Sequence, residues 1–507
     1  MKNYKFTLLL IFGLIASSCD LEEEPPFLAN ENVYSTASTA TSALIGMYQS
    51  LITYDYYGNE FMNLTCLNSG FGVTKRGGQR NTNIHNTTTA SLKPTSSTRQ
   101  VELAWSSMYR TIGLANDAIK SAKVVENPVT QDDKVINDVI GQAYFLRAFN
   151  YFNLVRMWGE VPLRISPATK ETIHLAKSPI KDVYAQIIND VKMAQSLMNS
   201  SIGDFAVKPY AADMLLAKVY MQLATAPATH QEAGLNYWDL AYKEAIKVYG
   251  AYSLYPSYAG LFEVSNGNNT SESIFELQSS EGASSDHIRA FTPSNFSTSQ
   301  NFGWLQVNSE VYDLHATTYP NDPRIESTYL SEFINVRNGK PFKLYPVVPR
   351  SNNFLRSFPY FFKLGTKNPE NVSTLHNKNF KIYRYADLLL MLAEISNELQ
   401  NGEELGYVSE VLARVGLTPQ AEYSGGKDSF RKAIMKEYQF ELLFEGQDWF
   451  TNRRRGYTYF LENVINYHNN HPNFNPRVDV KLETDEATVM YLPIPQIEIT
   501  TNQLISE

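Results

Sequence analysis

The stretch VINDVIGQAYFLRAFNYFNLVRMWGEVPL, residues 135–163, decides the fold class. Its apolar residues recur mostly three or four positions apart, at Val139, Ala143, Leu146, Leu154 and Trp158. That spacing is typical of a helix that buries one face. Gly159 is a common helix-ending residue, and Pro162 cannot continue a helix because it lacks a backbone N–H. The stretch therefore predicts a long helix over Val135–Trp158.

Similar patterns predict further helices on both sides of this one. Ser178-Pro179 combines a capping residue with a proline that suits a helix start. The further predicted helices run over residues 179–197, 210–224, 238–249, 383–399, 409–415 and 428–455. Several neighbouring pairs have about the length of a tetratricopeptide unit, roughly 34 residues. The long stretches between them, residues 59–99, 266–308 and 317–379, carry no such period. The sequence therefore predicts a mostly α fold of tetratricopeptide-like helix pairs with long irregular loops and little β structure.

Composition excludes several classes of protein. The 507 residues include 32 Tyr, 27 Phe and 5 Trp, enough large rings to build a core that offsets the entropy of ordering the chain. The net charge of −8 argues against a nucleic-acid binder, which needs a basic face. The only cysteines are Cys19 and Cys66, too few for a disulfide framework or a cysteine-based zinc site.

The N-terminus has the pattern of an export signal. Lys2 and Lys5 precede eleven apolar residues, 6–16, which are far fewer than the ~20 that a membrane-spanning helix needs. Small residues and then Cys19 follow, as in a bacterial lipobox, where the cysteine thiol receives a diacylglycerol. We therefore predict a lipoprotein signal peptide over residues 1–18 and lipidation of Cys19. An ordinary secretory signal followed by a chance cysteine remains the alternative.

The segment that follows the cysteine has the composition of a flexible tether. Residues 20–26, DLEEEPP, combine four acids with two prolines, and such a segment neither packs nor forms a helix. We expect residues 19–34 to be a solvated tether that carries the lipid. Two or three acyl chains would hold the protein stably on a bilayer.

A set of motifs along the body of the chain carries a family resemblance. They lie at Trp105–Asn116, Leu146–Leu163, Arg384–Glu394, Glu437–Gly446 and Leu492–Asn502. In this order they resemble the motifs of the SusD/RagB family of Bacteroidetes surface lipoproteins. The chain departs from the family pattern at Tyr438, where the family has Arg, and at Asp448, Thr451 and Asn452. These departures weaken an ion-pair assignment in that region and leave the expected fold unchanged.

The resemblance implies both an architecture and a function. The family fold is a scaffold of tetratricopeptide-like helix pairs whose irregular loops carry the ligand site. We expect an N-terminal region over residues 35–250 and a C-terminal region over 251–507 that form one compact unit. Family members are non-enzymatic receptors without cofactors that sit on the outer membrane, facing the exterior. Most bind glycans and cap a SusC-like TonB-dependent transporter, to which they deliver the oligosaccharide.

Two other functions stay open on the same residues. RagB-type members use this scaffold to bind peptides, and a glycoside hydrolase without a local motif is a less favoured reading. Glu441 and Glu445 lie one turn apart on a predicted helix, whereas glycosidase carboxylates face each other from different elements. We therefore expect a structural role for both and assign no catalytic residue.

Loop aromatics are the candidates for ligand contact. Phe302 and Trp304 lie in a polar loop, outside the motifs that explain Trp105, Trp158 and Trp449 as core residues. A sugar ring can stack its C–H face on such a ring, while polar neighbours take its hydroxyls; a loop anchor is the alternative role. The second group of candidates is Tyr54, Tyr56, Tyr57, Arg76, Arg80 and Asn81. His468 and His471 lack further ligands nearby, so we predict no metal site.

Overall fold

The computed structural model describes residues 33–505, except 75–86, 265, 281–284, 346–357, 374 and 477–478. The principal helices are α1 (Ala37–Ile52), α2 (Glu60–Leu67), α3 (Arg99–Ser121), α4 (Gln131–Trp158), α5 (Ile180–Leu197), α6 (Tyr210–Thr225), α7 (Tyr237–Val248), α8 (His287–Phe291), α9 (Ser309–Thr318), α10 (Arg324–Thr328), α11 (Tyr385–Leu399), α12 (Glu404–Arg414), α13 (Lys427–Leu442), α14 (Asp448–Arg454), α15 (Tyr457–Phe460), α16 (Asn466–Asn469), α17 (Glu486–Met490) and α18 (Gln496–Thr501). The prediction of a mostly α fold is confirmed.

The helix α4 that the opening stretch predicts is central to the packing. It begins at Gln131, four residues earlier than expected, because Thr130 and Asp133 form a capping box in which each side chain accepts a hydrogen bond from the other's backbone N–H. It ends at Gly159, which has a φ of 72° that glycine adopts readily. Helix α4 packs against α1, α3 and α5, and α6 packs against α7.

The C-terminal helices form a second packed group. Helix α11 contacts α7, α12 and α13. The long helix expected over 428–455 is wrong, because the chain breaks between α13 and α14. Phe444 and Gly446 have φ angles of 55° and 84°, and the Asp448 carboxylate accepts a hydrogen bond from the Phe444 backbone N–H at 2.7 Å. The break lets α14 leave in a new direction.

The strands are short and lie mainly in the three irregular stretches. They are β1 (Gly72–Thr74), β2 (Val161–Pro162), β3 (Lys177–Ser178), β4 (Ser273–Leu277), β5 (Leu305–Val307), β6 (Tyr329–Leu330), β7 (Glu332–Asn335), β8 (Lys340–Lys343), β9 (Tyr360–Phe361) and β10 (Phe380–Arg384). One sheet has the order β1-β5-β9-β6, with each neighbouring pair antiparallel. This sheet joins one strand or more from each of the three stretches, so it brings distant loops together.

A single large apolar cluster contains residues from both halves of the chain, from Ala40 to Leu492. Trp105, Trp158 and Trp449 are buried in it, which confirms the core role predicted for them. Each indole N–H has a partner; that of Trp449, for example, donates to the Asn68 side-chain oxygen at 2.9 Å. The polar end of each ring is thereby satisfied within an apolar environment.

A second buried cluster consists of charged residues, and we call it the charged core. Its members are Glu272, Asp322, Arg324, Lys363, Arg384, Arg414, Glu437, Glu441 and Glu445. All of them are buried except Arg414, and even the Arg414 side chain is only 3% exposed. The Arg384 guanidinium donates to Glu272, Glu441 and Glu445 at 2.6–2.9 Å. Such pairing is what allows charges to remain away from water.

Glu441 and Glu445 have structural contacts, as the sequence predicts. Glu441 accepts hydrogen bonds from Arg324, Arg384 and Arg414. Burial by itself would raise the pKa of Glu441, but the three guanidinium groups hold that pKa well below its usual range. The carboxylate is therefore a fixed anion that neutralises buried arginines.

Candidate ligand-binding site

Two loops that are distant in sequence meet beside helix α8. Asp286, the residue that precedes this helix, donates its backbone N–H to the Gly58 carbonyl at 3.0 Å. Gly58 lies in the turn between α1 and α2, and an added Cβ there would lie 2.4 Å from the Ile52 carbonyl oxygen. The glycine therefore allows a tight turn that presents its carbonyl to α8. This contact places Tyr54, in the same turn, near the residues of α8.

Phe302 and Trp304 form a stacked pair that we call the aromatic platform. Their ring centroids lie 5.0 Å apart with an angle of 16° between the planes. Their backbone N–H groups donate to the carbonyls of Arg289 and Ala290, each at 3.0 Å. Both side chains are half-buried, so part of each ring faces solvent. The backbone hydrogen bonds hold the platform against α8.

Gly303 separates the two rings and makes their arrangement possible. Its φ is 56°, in the left-handed region, where residues with a Cβ are strained. A Cβ at this position would lie 2.8 Å from the Tyr360 ring and 2.9 Å from the Pro293 Cα atom. Glycine is therefore required both by the backbone angle and by the space.

An ion pair borders the platform. Arg289 donates from Nε and Nη2 to the two carboxylate oxygens of Asp286, at 3.0 and 3.3 Å. The Arg289 guanidinium also lies 5.0 Å from the centre of the Phe302 ring, within the range of a cation–π contact. The Arg289 side chain is 32% exposed, so it can still reach a ligand on the surface.

Tyr54 completes the surface from the other loop. It is 41% exposed. Partial burial and the negative charges of Glu60 and Asp286 raise the pKa of its hydroxyl to about 12. The hydroxyl is therefore protonated at neutral pH and can both donate and accept a hydrogen bond. We call Tyr54, Asp286, Arg289, Phe302 and Trp304 the candidate site.

The chemistry of the candidate site suits a neutral, polyhydroxylated ligand. The platform offers flat apolar surface, while the carboxylate, the guanidinium and the phenol offer acceptors and donors. The Trp304 indole N–H donates to no residue in the described part of the chain, which leaves it available to an acceptor on a ligand. Binding sites commonly combine apolar surface with a few such polar groups.

Two of the predicted ligand contacts are not on the surface. Tyr56 and Tyr57 are 0% and 2% exposed. The Tyr56 hydroxyl donates to the Asn150 side chain at 2.9 Å, and Asn153 donates to both tyrosine hydroxyls at 3.3–3.4 Å. Their rings pack against each other and against Phe61. The expectation that they contact ligand is therefore corrected: they belong to the core.

Other predicted residues lie outside the description. Cys19, the signal peptide, Arg76, Arg80 and Asn81 are outside the described residues, as is the tether except for its last two residues. Two residues of the candidate site, Asp286 and Arg289, are not among those that the sequence predicts. Asp286 precedes the short helix α8 and Arg289 lies within it, in a stretch rich in serine, and no local motif marks either one.

His468 and His471, which the sequence analysis considers as metal ligands, have protein partners: the Asn473 backbone N–H donates to His471 Nδ1 at 3.3 Å. The His468 ring lies 2.5 Å from a Glu310 carboxylate oxygen and 2.8 Å from the Val480 carbonyl, so both its nitrogens are engaged. Within the described ranges, no group of three or more His, Cys, Asp or Glu side chains is arranged to hold a metal ion. Across the same residues, every helix is too short or too polar to cross a bilayer.

Comparison with known protein families gives two adjoining matches. The sequence model of the SusD family matches residues 220–507, and a model described as "Starch-binding associating with outer membrane" matches residues 21–221. The junction falls within α6, so the two matched regions share a helix. Together they extend over almost all of the chain.

Individual proteins show the same similarity. "SusD-like protein P2" of Formosa agariphila is 28% identical over 90% of this chain and 91% of its own length. A crystal structure of a SusD homolog from Bacteroides thetaiotaomicron superposes with a TM-score of 0.76 at 21% identity, covering 94% of this chain and 97% of that one. A laminarin-binding SusD-like protein superposes with a TM-score of 0.70 at 21% identity, covering 92% and 98%. The structural matches establish a shared fold.

Proposed function

Because this chain belongs to the SusD family, we propose that it binds an oligosaccharide at the cell surface and delivers it to a SusC-like TonB-dependent transporter. The observation that carries the proposal is the half-buried, stacked pair of Phe302 and Trp304 beside the Asp286–Arg289 ion pair. The laminarin-binding relative, which shares the fold, supports a glycan as the class of ligand.

The candidate site offers partners both for the apolar face and for the hydroxyls of a sugar. A pyranose ring has an apolar C–H face that packs on an aromatic ring, and burying this face gains roughly 25 cal/mol per Å². Its hydroxyls lie at the ring edge, where they can reach the Asp286 carboxylate, the Arg289 guanidinium and the Tyr54 hydroxyl. Because the two rings stack on each other and the Arg289 guanidinium lies over Phe302, the stacking surface for a sugar unit is the outer face of Trp304.

We propose binding without hydrolysis. Both carboxylate oxygens of Asp286 accept hydrogen bonds from Arg289, so this carboxylate is held as an ion-pair partner. A glycosidase needs two carboxyl groups that flank the scissile bond, one of which donates a proton. Asp286 is the only carboxylate of the candidate site, and its contacts suit orientation of a sugar hydroxyl.

The test is titration of purified protein, residues 20–507, with a panel of glycans. Laminari-oligosaccharides and malto-oligosaccharides are the first probes, because a relative binds laminarin and a matching family model is described as starch-binding. We expect saturable binding of at least one glycan and no shorter products after long incubation. Binding of peptides with no binding across the glycan panel would overturn the proposal, and reproducible cleavage would overturn its non-enzymatic part.

We further propose that the protein is anchored to the outer membrane, facing the exterior, by a lipid on Cys19. The family description of association with the outer membrane and the signal-like N-terminus support this location. In a bacterial host, Cys19→Ala should prevent labelling with radioactive palmitate and move the protein out of the membrane fraction. Cys66→Ala is the matched control, because the Cys66 thiol is buried. A labelled Cys19→Ala protein would contradict lipidation at this residue.

A further inference from the structure

A cavity lies apart from the candidate site, among α4, α5, α6, α14 and α17. It has a volume of about 440 Å³, a size typical of small-molecule pockets. Its lining includes Arg156, Tyr184, Trp449, Phe450, Arg453 and Tyr491. None of its lining residues belongs to the candidate site, so the proposed glycan binding leaves it unexplained.

Arg156 is the first unusual feature of this cavity. Its guanidinium lies between two rings, 3.7 Å from the centre of Phe152 and 3.6 Å from that of Phe450. Nε donates to the Phe152 carbonyl at 2.9 Å, and Nη2 donates to the Asn153 side chain at 2.6 Å. No described residue accepts a hydrogen bond from Nη1, and no described carboxylate lies within ion-pair distance. One edge of the cation is therefore unused.

Arg453 repeats the pattern on the neighbouring wall. It is 5% exposed, and its guanidinium lies 4.2 Å from the centre of the Trp449 ring. Its Nε donates to the Val489 carbonyl at 2.7 Å, and Nη2 donates to the Asn68 side chain at 2.9 Å. All of these partners are neutral. Within the described part of the chain, Arg453 has no carboxylate partner either.

The surrounding charges do not cancel these two arginines. Arg454 also lines the cavity, but Glu394 binds it through two hydrogen bonds. Next to Arg156, the Lys218 ammonium lies 2.7 Å from the Asp387 carboxylate. The remaining charged lining residue is Glu486, which is exposed and therefore screened by water and salt. His230, Tyr184, Tyr457 and Tyr491 complete the titratable lining.

The physical chemistry of the cavity favours an anion. Arg453 is buried, and a buried charge without a counter-ion costs several kcal/mol, which cation–π contacts offset only in part. Arg156 is half-buried and lines the same cavity. Burial lowers the pKa of Arg156 to about 10, so the side chain remains protonated at neutral pH. A carboxylate that enters the cavity would meet the free edge of Arg156 and supply the missing opposite charge.

We propose that this cavity binds a small organic acid, whose carboxylate pairs with Arg156 while its apolar body packs against the surrounding rings. The apolar lining that remains accessible comes from Ile180, Tyr457, Met490 and Tyr491. An inorganic anion would leave that apolar surface in contact with water, whereas an aromatic or branched body would cover it. The ligand class is therefore an organic acid with an apolar group.

The first test compares a charged probe with its neutral analogue on the unaltered protein. Phenylacetate and phenylacetamide have the same ring and nearly the same shape, and they differ in charge. In titrations of residues 20–507, we expect saturable binding of phenylacetate and binding of phenylacetamide that is weaker by about tenfold or more. Equal affinity for the two, or no saturable binding of phenylacetate at tens of millimolar, would overturn the proposal.

The second test locates the probe. Arg156→Met removes the charge and keeps an unbranched apolar stem, so phenylacetate affinity should fall by about tenfold or more. Arg110→Met, at an exposed position on α3, is the control and should bind as the unaltered protein does. Trp304→Ala should leave phenylacetate affinity unchanged, which separates this cavity from the glycan site. An Arg156→Met protein that folds and binds phenylacetate with undiminished affinity would contradict the assignment.

Discussion

The charged core and the aromatic platform reverse the usual places of charged and apolar side chains. Arg324 and Arg384 are 0% and 1% exposed, whereas Phe302 and Trp304 keep part of their rings in contact with solvent. The arginines tolerate burial because each contacts several carboxylates. The platform rings tolerate exposure because a short segment of backbone hydrogen bonds holds them in place.

The comparison separates two reasons for keeping an unfavourable arrangement. In the charged core every charge has a partner inside the chain, so breaking a contact there lowers the free energy of unfolding. At the platform both rings are only partly buried, so a ligand can cover the rest of their apolar surface and the free energy gained there depends on what binds. Substitutions in the two regions should therefore change different measured quantities.

The largest expected effect is that of Arg384→Met in the charged core. It would leave Glu272, Glu441 and Glu445 with too few cations, and breaking a buried network from one side costs roughly 3–5 kcal/mol in the free energy of unfolding. Chemical denaturation measures this loss. Lys367→Met is the control, because Lys367 pairs with Glu326 at the surface, where an ion pair contributes little. Similar losses for the two variants would contradict the distinction between buried and exposed pairs.

Acid should weaken the region around His315, whose ring Nε2–H donates to the Asp322 carboxylate of the charged core at 2.9 Å. Burial lowers the pKa of His315 to about 4, against about 6.5 when unfolded. Below pH 6.5 the unfolded chain takes up a proton that the folded chain does not. Stability should therefore fall as the pH drops from about 6.5 to 4, by about 2–3 kcal/mol for this group.

Urea denaturation at a series of pH values checks this expectation. His315→Gln removes the titrating group, so its stability should depend less steeply on pH over the same interval. His287 and His376 also have pKa values lowered by burial, to about 3 and 4, and they keep part of the slope in the variant. An unchanged slope in His315→Gln would show that His315 is protonated in the folded state.

Trp304→Ala should change binding more than folding. Loss of one stacking ring should reduce glycan affinity by roughly 1–3 kcal/mol, by analogy with nucleobase stacking on aromatic rings, or about five- to a hundredfold in Kd. The loss of stability should stay below the ~3–5 kcal/mol typical of a fully buried aromatic, because this ring is half-buried. A glycan titration and a thermal melt measure the two effects.

The matched control for this variant is Trp238→Ala. Trp238 is also half-buried, on α7, where it lies 5.6 Å from the Arg455 guanidinium. Trp238→Ala removes an indole ring from a position outside the candidate site, so glycan affinity should be unchanged. If Trp304→Ala instead lowers the melting temperature strongly and binds glycan normally, Trp304 is a loop anchor and the platform is not the binding surface.

The smallest expected effect is that of Tyr54→Phe. It removes one hydroxyl near Glu60 and Asp286 and keeps the ring, so glycan affinity should fall by about 0.5–1.5 kcal/mol, the usual contribution of one hydrogen bond. The melting temperature should stay close to that of the unaltered protein, since Tyr54 is 41% exposed. Tyr210→Phe, at a similarly exposed tyrosine on α6, is the control. Unchanged glycan affinity in Tyr54→Phe would remove Tyr54 from the candidate site.

The sequence predicts the helices better than the loops, for a physical reason. Helix α4 follows from the spacing of its apolar residues, because helical geometry repeats over many turns. The break after α13 depends on Phe444, which adopts a left-handed φ of 55° that its residue type disfavours. The Asp448 carboxylate, four residues further on, accepts a hydrogen bond from the Phe444 backbone N–H, and the spacing of apolar residues does not reveal such a side-chain contact.

The candidate site shows the same limit at the level of single side chains. Tyr54, Tyr56 and Tyr57 lie in an irregular turn, where no period says which rings point inward. Only the packing of Asn150 and Asn153 against the tyrosine hydroxyls distinguishes the two buried rings from the exposed one. Asp286 and Arg289 belong to the candidate site because backbone hydrogen bonds hold α8 beside the platform, and the sequence does not indicate this contact.

The charged core also has a consequence for the order in which the chain folds. Its members extend from Glu272 to Glu445, and the acids that neutralise Arg324 and Arg384 include Glu437, Glu441 and Glu445 of the last part of the chain. Asp322 and Glu272 precede these arginines and supply one partner each, but the set of carboxylates is complete only when the last part of the chain is present, so stable packing around the arginines has to wait. Such a delay would suit the export to the outer membrane that we propose, since translocation could finish before the final helices dock.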